Sequence, residues 1–180
     1  MADDIKNSAL LAVVFAMICM ALYVLLRFRD IAFSLGVLAS VTVTVLCIIS
    51  AYTLFWKVMP FSMEVDQTFI AAILTIIGYS MNDTVVVFDR IRETVALYPK
   101  RDRFQVINDA LNSTLARTFS TSLSTLVVVL CIFVLGGSTI RSFTFAILLG
   151  IIVGTYSTLY IATPVAYEVM KRRASKKEDK

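Results

Sequence analysis

The chain has 180 residues, 58% hydrophobic and 17% charged, against about 45–50% and about 25% in ordinary soluble domains. That balance excludes a disordered chain, a soluble nucleic-acid binder and a secreted disulfide scaffold. The net charge of +4 takes its meaning from where the basic residues lie, and with no histidine there is no imidazole metal site, His-based triad or imidazole proton relay.

A helix that spans a bilayer needs about 20 mostly apolar residues, and five windows meet that need. The first, Ser8–Leu26, is too long in its apolar part for a signal peptide. It also lacks a basic start and a small-x-small cleavage site, so it is expected to be a retained span. Ile31–Phe55 is the second window and Thr68–Phe88 the third. The fourth, Phe119–Leu135, is short and rich in Ser and Thr. Such hydroxyls bond their own helix or cross to a neighbour, which predicts a helix buried in the bundle. The fifth is Phe143–Tyr167, where Gly150 and Gly154 are spaced to let another helix approach closely. Gly78, in the third, is assigned the same packing role. Cys19, Cys47 and Cys131 lie apart inside apolar runs, as small hydrophobes packed in membrane helices rather than metal ligands.

The expected fold is therefore all-α: a polytopic membrane domain over residues 1–170 with five transmembrane helices, and a basic, solvated tail over 171–180. Of the 17 Lys and Arg residues, all but Lys6, Lys57 and Arg141 fall on one side of a five-span arrangement. By the positive-inside rule the N-terminus is outside and the C-terminus cytoplasmic. The basic balance is thus a topology signal with some attraction to anionic lipid, not a nucleic-acid patch.

The long inner connection has structure of its own. Tyr98-Pro99 breaks the preceding helix. Asp102 and Gln105 then form a capping-box-like pair, and Phe104, Ile107, Leu111 and Leu115 recur at helical spacing. This predicts a short amphipathic helix, Arg103–Ala116, on the inner membrane surface. Asp89 with Arg92 and Arg90 with Glu93 are i,i+3 pairs, a charge cluster at the cytoplasmic end of the third span.

No Walker loop, GxGxxG, HExxH or GxSxG is present, so no enzyme is expected, and neither metal nor cofactor. The sequon matches at Asn82 and Asn112 fall in a span and on the inner side, and are chance. The chemistry concentrates on Asp83, flanked by Asn82 and Thr84, about 7.5 Å inward of the middle of its span at about 1.5 Å per residue. A charge in hydrocarbon costs at least about 2.5–3.5 kcal/mol, so this side chain must face the bundle interior or a wet cavity. Desolvation favours the neutral acid and a nearby cation the carboxylate, a combination that lets a proton gradient load and unload it. Arg117, at the inner mouth of the fourth span, is the candidate cation. Always charged, it cannot carry the proton but can set the acid's affinity for one.

The run Gly78-Tyr79-Ser80-Met81-Asn82-Asp83-Thr84-Val85-Val86-Val87-Phe88-Asp89-Arg90-Ile91-Arg92-Glu93 resembles the signature of the SecD/SecF family of protein-export membrane subunits, on the SecF side. A second stretch agrees: Leu115, Arg117-Thr118, Thr121-Ser122, Gly136-Gly137, Gly150 and Gly154-Thr155-Tyr156-Ser157. The resemblance covers the last five of the six spans usual in SecF and implies a bundle of the resistance–nodulation–division type. It implies a multi-pass protein of the bacterial inner membrane that pairs with a SecD half beside the SecYEG channel. YajC, membrane lipid and the translocating preprotein are further partners, and nucleic acid is not one. It further implies that the proton-motive force helps draw secreted proteins across, with protons as the coupling ion and Asp83 and Arg117 in their path. The family's first span and periplasmic domain have no counterpart here, so a piece of a separate SecF or a fused SecDF is expected. Many relatives carry a His-Asp pair where this chain has Val41-Thr42-Val43-Thr44-Val45, which removes any network built on that pair. The rival readings are a proton-coupled exporter of small molecules or lipids from the same superfamily, and a passive membrane scaffold.

Overall fold

The computed structural model describes residues 2–178 apart from 60, 62, 64 and 65. The five apolar windows become five membrane-length helices. α1 is Ala2–Phe28 and α2 Ile31–Phe55, joined by Arg29 and Asp30. Arg29 takes the left-handed conformation, with φ 53°, and its N–H donates to the Leu25 carbonyl at 2.8 Å. Asp30 then caps α2 by accepting from the Ala32 N–H at 2.9 Å. α3 is Gln67–Leu97, capped by Asp66, which accepts from the Phe69 N–H at 2.8 Å. α4 is Arg103–Leu135, and Gly136-Gly137 turn the chain into α5, Ser138–Ser157. A π-helical turn, Thr158–Ala162, continues α5 into α6, Thr163–Glu178.

α2 and α3 form the centre. Half or more of their spans is buried, against 11% for α1 and for α4. Aromatic clusters close both ends of the bundle. Phe28, Phe33 and Phe88 meet at the basic end, with the last two ring centroids 4.8 Å apart. At the other end Tyr52 stacks near Phe69 at 4.5 Å, and Phe61 and Phe133 pack around Phe145. Between the ends, backbones approach at glycines. A Cβ at Gly150 would overlap the side chain of Ile76, one at Gly154 would lie 3.3 Å from Ser80 Cβ, and one at Gly36 would lie 2.6 Å from the Ala162 carbonyl of the π turn.

Several expectations change. Gly78 is not a packing glycine: it is exposed, and among the described residues nothing lies within 4 Å of where its Cβ would be. α3 continues past the third apolar window to Leu97, stopping at the expected Tyr98-Pro99 break, and carries the charge cluster Asp89–Glu93 within it. The amphipathic segment and the fourth span are one helix, because nothing between Ala116 and Phe119 breaks helical geometry. Asp102 stands at its N-cap without a side-chain cap hydrogen bond. α4 is also not buried, since its Ser and Thr residues mostly satisfy themselves on its own carbonyls. The three cysteines lie on exposed faces. The basic tail is helical through Glu178.

Candidate functional site

Asp83 lies on the buried face of α3, 6% exposed, and Thr84 beside it is buried too. Asn82, one helical step away, points outward and is exposed. The carboxylate is held by the neighbouring helix: Ser122 of α4 donates to Asp83 Oδ2 at 3.3 Å. Ser122 Oγ also lies 2.7 Å from Thr155 Oγ1 of α5. A hydroxyl has one proton to give. With Ser122 donating to Asp83, Thr155 must donate to Ser122, so the chain of bonds runs Thr155 to Ser122 to Asp83 across three helices.

A second link lies one residue on. Thr84 donates to the Ser80 carbonyl at 2.8 Å, the local bond a helical Thr usually makes. Its oxygen is therefore the acceptor for Thr158, 2.9 Å away in the π turn. The widened turn is served in the same way, with Thr163 donating to the Thr158 carbonyl at 3.3 Å. π turns are uncommon and frequently sit at functional sites; this one meets α3 beside Asp83. A third link joins α2 to α5, where Ser157 donates to the Ser40 carbonyl and the two hydroxyls lie 2.9 Å apart. Together these form a buried hydroxyl seam through an otherwise apolar core. Ser80 Oγ, within the seam, is buried with no hydrogen-bond partner among the described residues.

Asp83 is buried but not sealed. An open polar cleft of about 400 Å³ on the α3–α4 surface is lined by Tyr79, Asn82, Asp83, Ser120, Thr121, Ser124 and Thr125. Towards the basic end the same two helices frame a larger cleft of about 610 Å³, lined by Asp89, Arg90, Arg92, Glu93 and Arg117 among others. Arg117 thus opens into the second cleft. Among the described residues it makes no ion pair with Asp83.

The charge cluster is wired differently from the sequence pattern. Arg90 and Glu93 pair at 2.8 Å as expected from their spacing. Asp89 pairs not with Arg92 but with Arg27 of α1, at 3.3 Å. A second link across the basic end joins Arg173 of α6 to Asp30 at 3.0 Å. These pairs are exposed and each is worth about 0–1 kcal/mol. Their arrangement still ties α1, α3 and α6 at one end. Among the described residues no three His, Cys, Asp or Glu side chains come together as a metal site would need.

Sequence reasoning had Asp83, Arg117 and Thr84 but not Ser122, Thr155 or Thr158 as their partners. Ser122 and Thr155 stand within the second stretch of resemblance, yet their spacing does not say which of many hydroxyls turns inward. A family model described as protein export membrane protein SecD/SecF, C-terminal, matches residues 1–172. The chain belongs to this SecD/SecF family. It is 43% identical over 176 residues to the protein translocase subunit SecF of Rhodothermus marinus, covering 98% of this chain and 57% of that protein. It is 42% identical over 166 residues to the SecF subunit of Dictyoglomus turgidum, covering 92% and 54%. The chain thus spans little more than half the length of these relatives. The crystal structure of SecDF in a super-membrane-facing form superposes over 99% of this chain and 23% of that one, with TM-score 0.85 and 36% identity. The five apolar helices and this kinship make the chain part of a multi-pass protein of the bacterial inner membrane.

Proposed function

We propose that this chain is the membrane-embedded part of a SecF-type export subunit, in which Asp83 takes up and releases protons so that the proton-motive force promotes protein passage through the Sec channel. One observation carries the reading: a carboxyl inside a membrane helix, held by hydroxyls from neighbouring helices, borders an open polar cleft. An ionised carboxylate only accepts hydrogen bonds, while a protonated one also donates. Loading Asp83 therefore lets its O–H donate to Ser122, which frees the Ser122 proton for Thr155 and alters the tie between α3, α4 and α5. Arg117 keeps its charge throughout and attracts Asp83 only when the acid is ionised. A single proton thus biases two helix arrangements.

In this reading the partners are the SecD half, the SecYEG channel, YajC and the preprotein. The N-terminus lies outside, the C-terminus is cytoplasmic, and the proton is the coupling ion with no cofactor and no catalysed covalent step. The test uses the complete SecDF complex with its channel, comparing wild type with Asp83→Asn for completion of preprotein translocation, with and without an imposed proton gradient. The expected result is loss of the gradient's effect in the variant with assembly unchanged. Equal stimulation of both would leave this chain a scaffold and send the proton to another carrier.

A further inference from the structure

The cleft of about 610 Å³ at the basic end has charges that do not cancel. Asp89 is held from outside by Arg27, whose Nη2 lies 3.4 and 3.3 Å from its two carboxylate oxygens. Glu93 is held by Arg90 at 2.8 Å, and Arg90 Nε donates to Ser113 at 3.1 Å. Both acids of the wall thus already have a cation. Arg92 and Arg117 also line the cleft, and among the described residues neither forms an ion pair. Two guanidinium groups are left facing one cavity without a counter-charge.

The depth of the cleft says what meets it. α3 begins at Gln67, and about 20 residues at about 1.5 Å each cross a hydrocarbon core of about 30 Å. That places Phe88 at its boundary and Asp89 through Glu93 at the level of the lipid headgroups. On α4, Ser113 and Thr114 line the cleft with Arg117, whereas the exposed Leu115 and Phe119 stand two residues away on the opposite face. Basic pockets between membrane helices at this depth suit anionic headgroups. Guanidinium groups grip phosphate oxygens through paired N–H donors.

We infer that this cleft binds the phosphate of an anionic membrane phospholipid, held by Arg92 and Arg117. A zwitterionic lipid brings its own ammonium to the phosphate and leaves the two arginines uncompensated, so the site selects for net negative charge. The bound phosphate also keeps Arg117 at headgroup level, away from Asp83.

The test uses the whole protein that contains this chain, delipidated in detergent. Phosphatidylglycerol, phosphatidylcholine and inorganic phosphate are added in separate arms, and bound molecules are counted by native mass spectrometry. Phosphatidylglycerol is expected to be retained over the other two. Arg92→Gln should weaken its retention roughly tenfold, as for one lost charged hydrogen bond. Glu93→Gln releases Arg90 into the cleft and should tighten retention, a gain that a misfolded variant cannot produce. Equal retention by wild type and Arg92→Gln, no preference over phosphatidylcholine, or phosphate alone binding as well would each overturn the inference. So would a cross-link placing an acidic protein segment against Arg92 in the assembled complex. The readout needs no proton gradient, so its failure is separate from any failure of the role given to Asp83.

Discussion

α3 and α4 are the two longest helices, 31 and 33 residues, and both carry polar side chains through the membrane. They dispose of them in opposite ways. α3 buries Ser80, Asp83 and Thr84 in the centre of the bundle. α4 leaves Ser120, Thr121 and Ser124 exposed and turns inward only Thr114, Thr118 and Ser122 among its hydroxyls, one stripe at i,i+4 spacing. The difference follows from what each group can do unaided. A hydroxyl can return its proton to a carbonyl one turn back, as Thr121 and Ser124 do at 3.0 and 2.7 Å, and so survives on an outer face. A carboxyl has no such local remedy and must be placed where other helices can serve it. Hydroxyl content therefore says little about burial, while one acid says much.

The comparison can be broken most severely through the helix contacts that bury α3. Gly150→Leu forces a side chain into the space of Ile76 and should destabilise the protein by about 3 kcal/mol, the upper end for overpacking, read by thermal unfolding in detergent. A stability change no larger than that of an exposed substitution would show that α3 and α5 are not packed as described. Next comes the serine that serves the acid. Ser122→Ala leaves Asp83 and Thr155 each short of a partner and should cost about 1–3 kcal/mol, whereas Ser124→Ala on the outer face should stay within about 0.5 kcal/mol. Equal effects would erase the distinction between the two faces of α4. A double-mutant cycle between Thr84→Val and Thr158→Val should return a coupling of about 0.6 kcal/mol, the average for hydrogen bonds between membrane helices. Zero coupling would detach the π turn from α3. The remaining effect is a gain: Gly78→Ala meets nothing among the described residues and should stabilise α3 by up to about 1 kcal/mol through helix propensity.

The five spans were legible because apolar runs of membrane length have few other uses, and Ile31–Phe55 coincides with α2 at both ends. Asp83 was legible because a lone acid in such a run is costly. What the sequence hid was continuity and facing. Tyr98-Pro99 and Arg103 marked where α3 stops and α4 starts, but nothing between Ala116 and Phe119 shows that the amphipathic segment and the fourth span are one helix. The Asp89–Arg27 pair joins residues 62 positions apart, which no local spacing rule can find. The π turn likewise left no trace, since Thr158–Ala162 reads as ordinary apolar helix; its place against Gly36 and Thr84 is set by packing from α2 and α3. Gly78 shows the converse failure, a glycine in a helix with no neighbour to admit.

The unbroken overhang of α3 has a mechanical meaning. From Asp83 to Leu97 the helix runs roughly 21 Å at about 1.5 Å per residue. The link to α4 is brief, and Arg101 pairs with Asp109 across it at 2.9 Å. A tilt of about 10° pivoting at Asp83 moves the tip of α3 by about 4 Å, following the same helical rise. An arm of that length would turn displacements too small to matter beside the carboxyl into strokes of side-chain size at its tip.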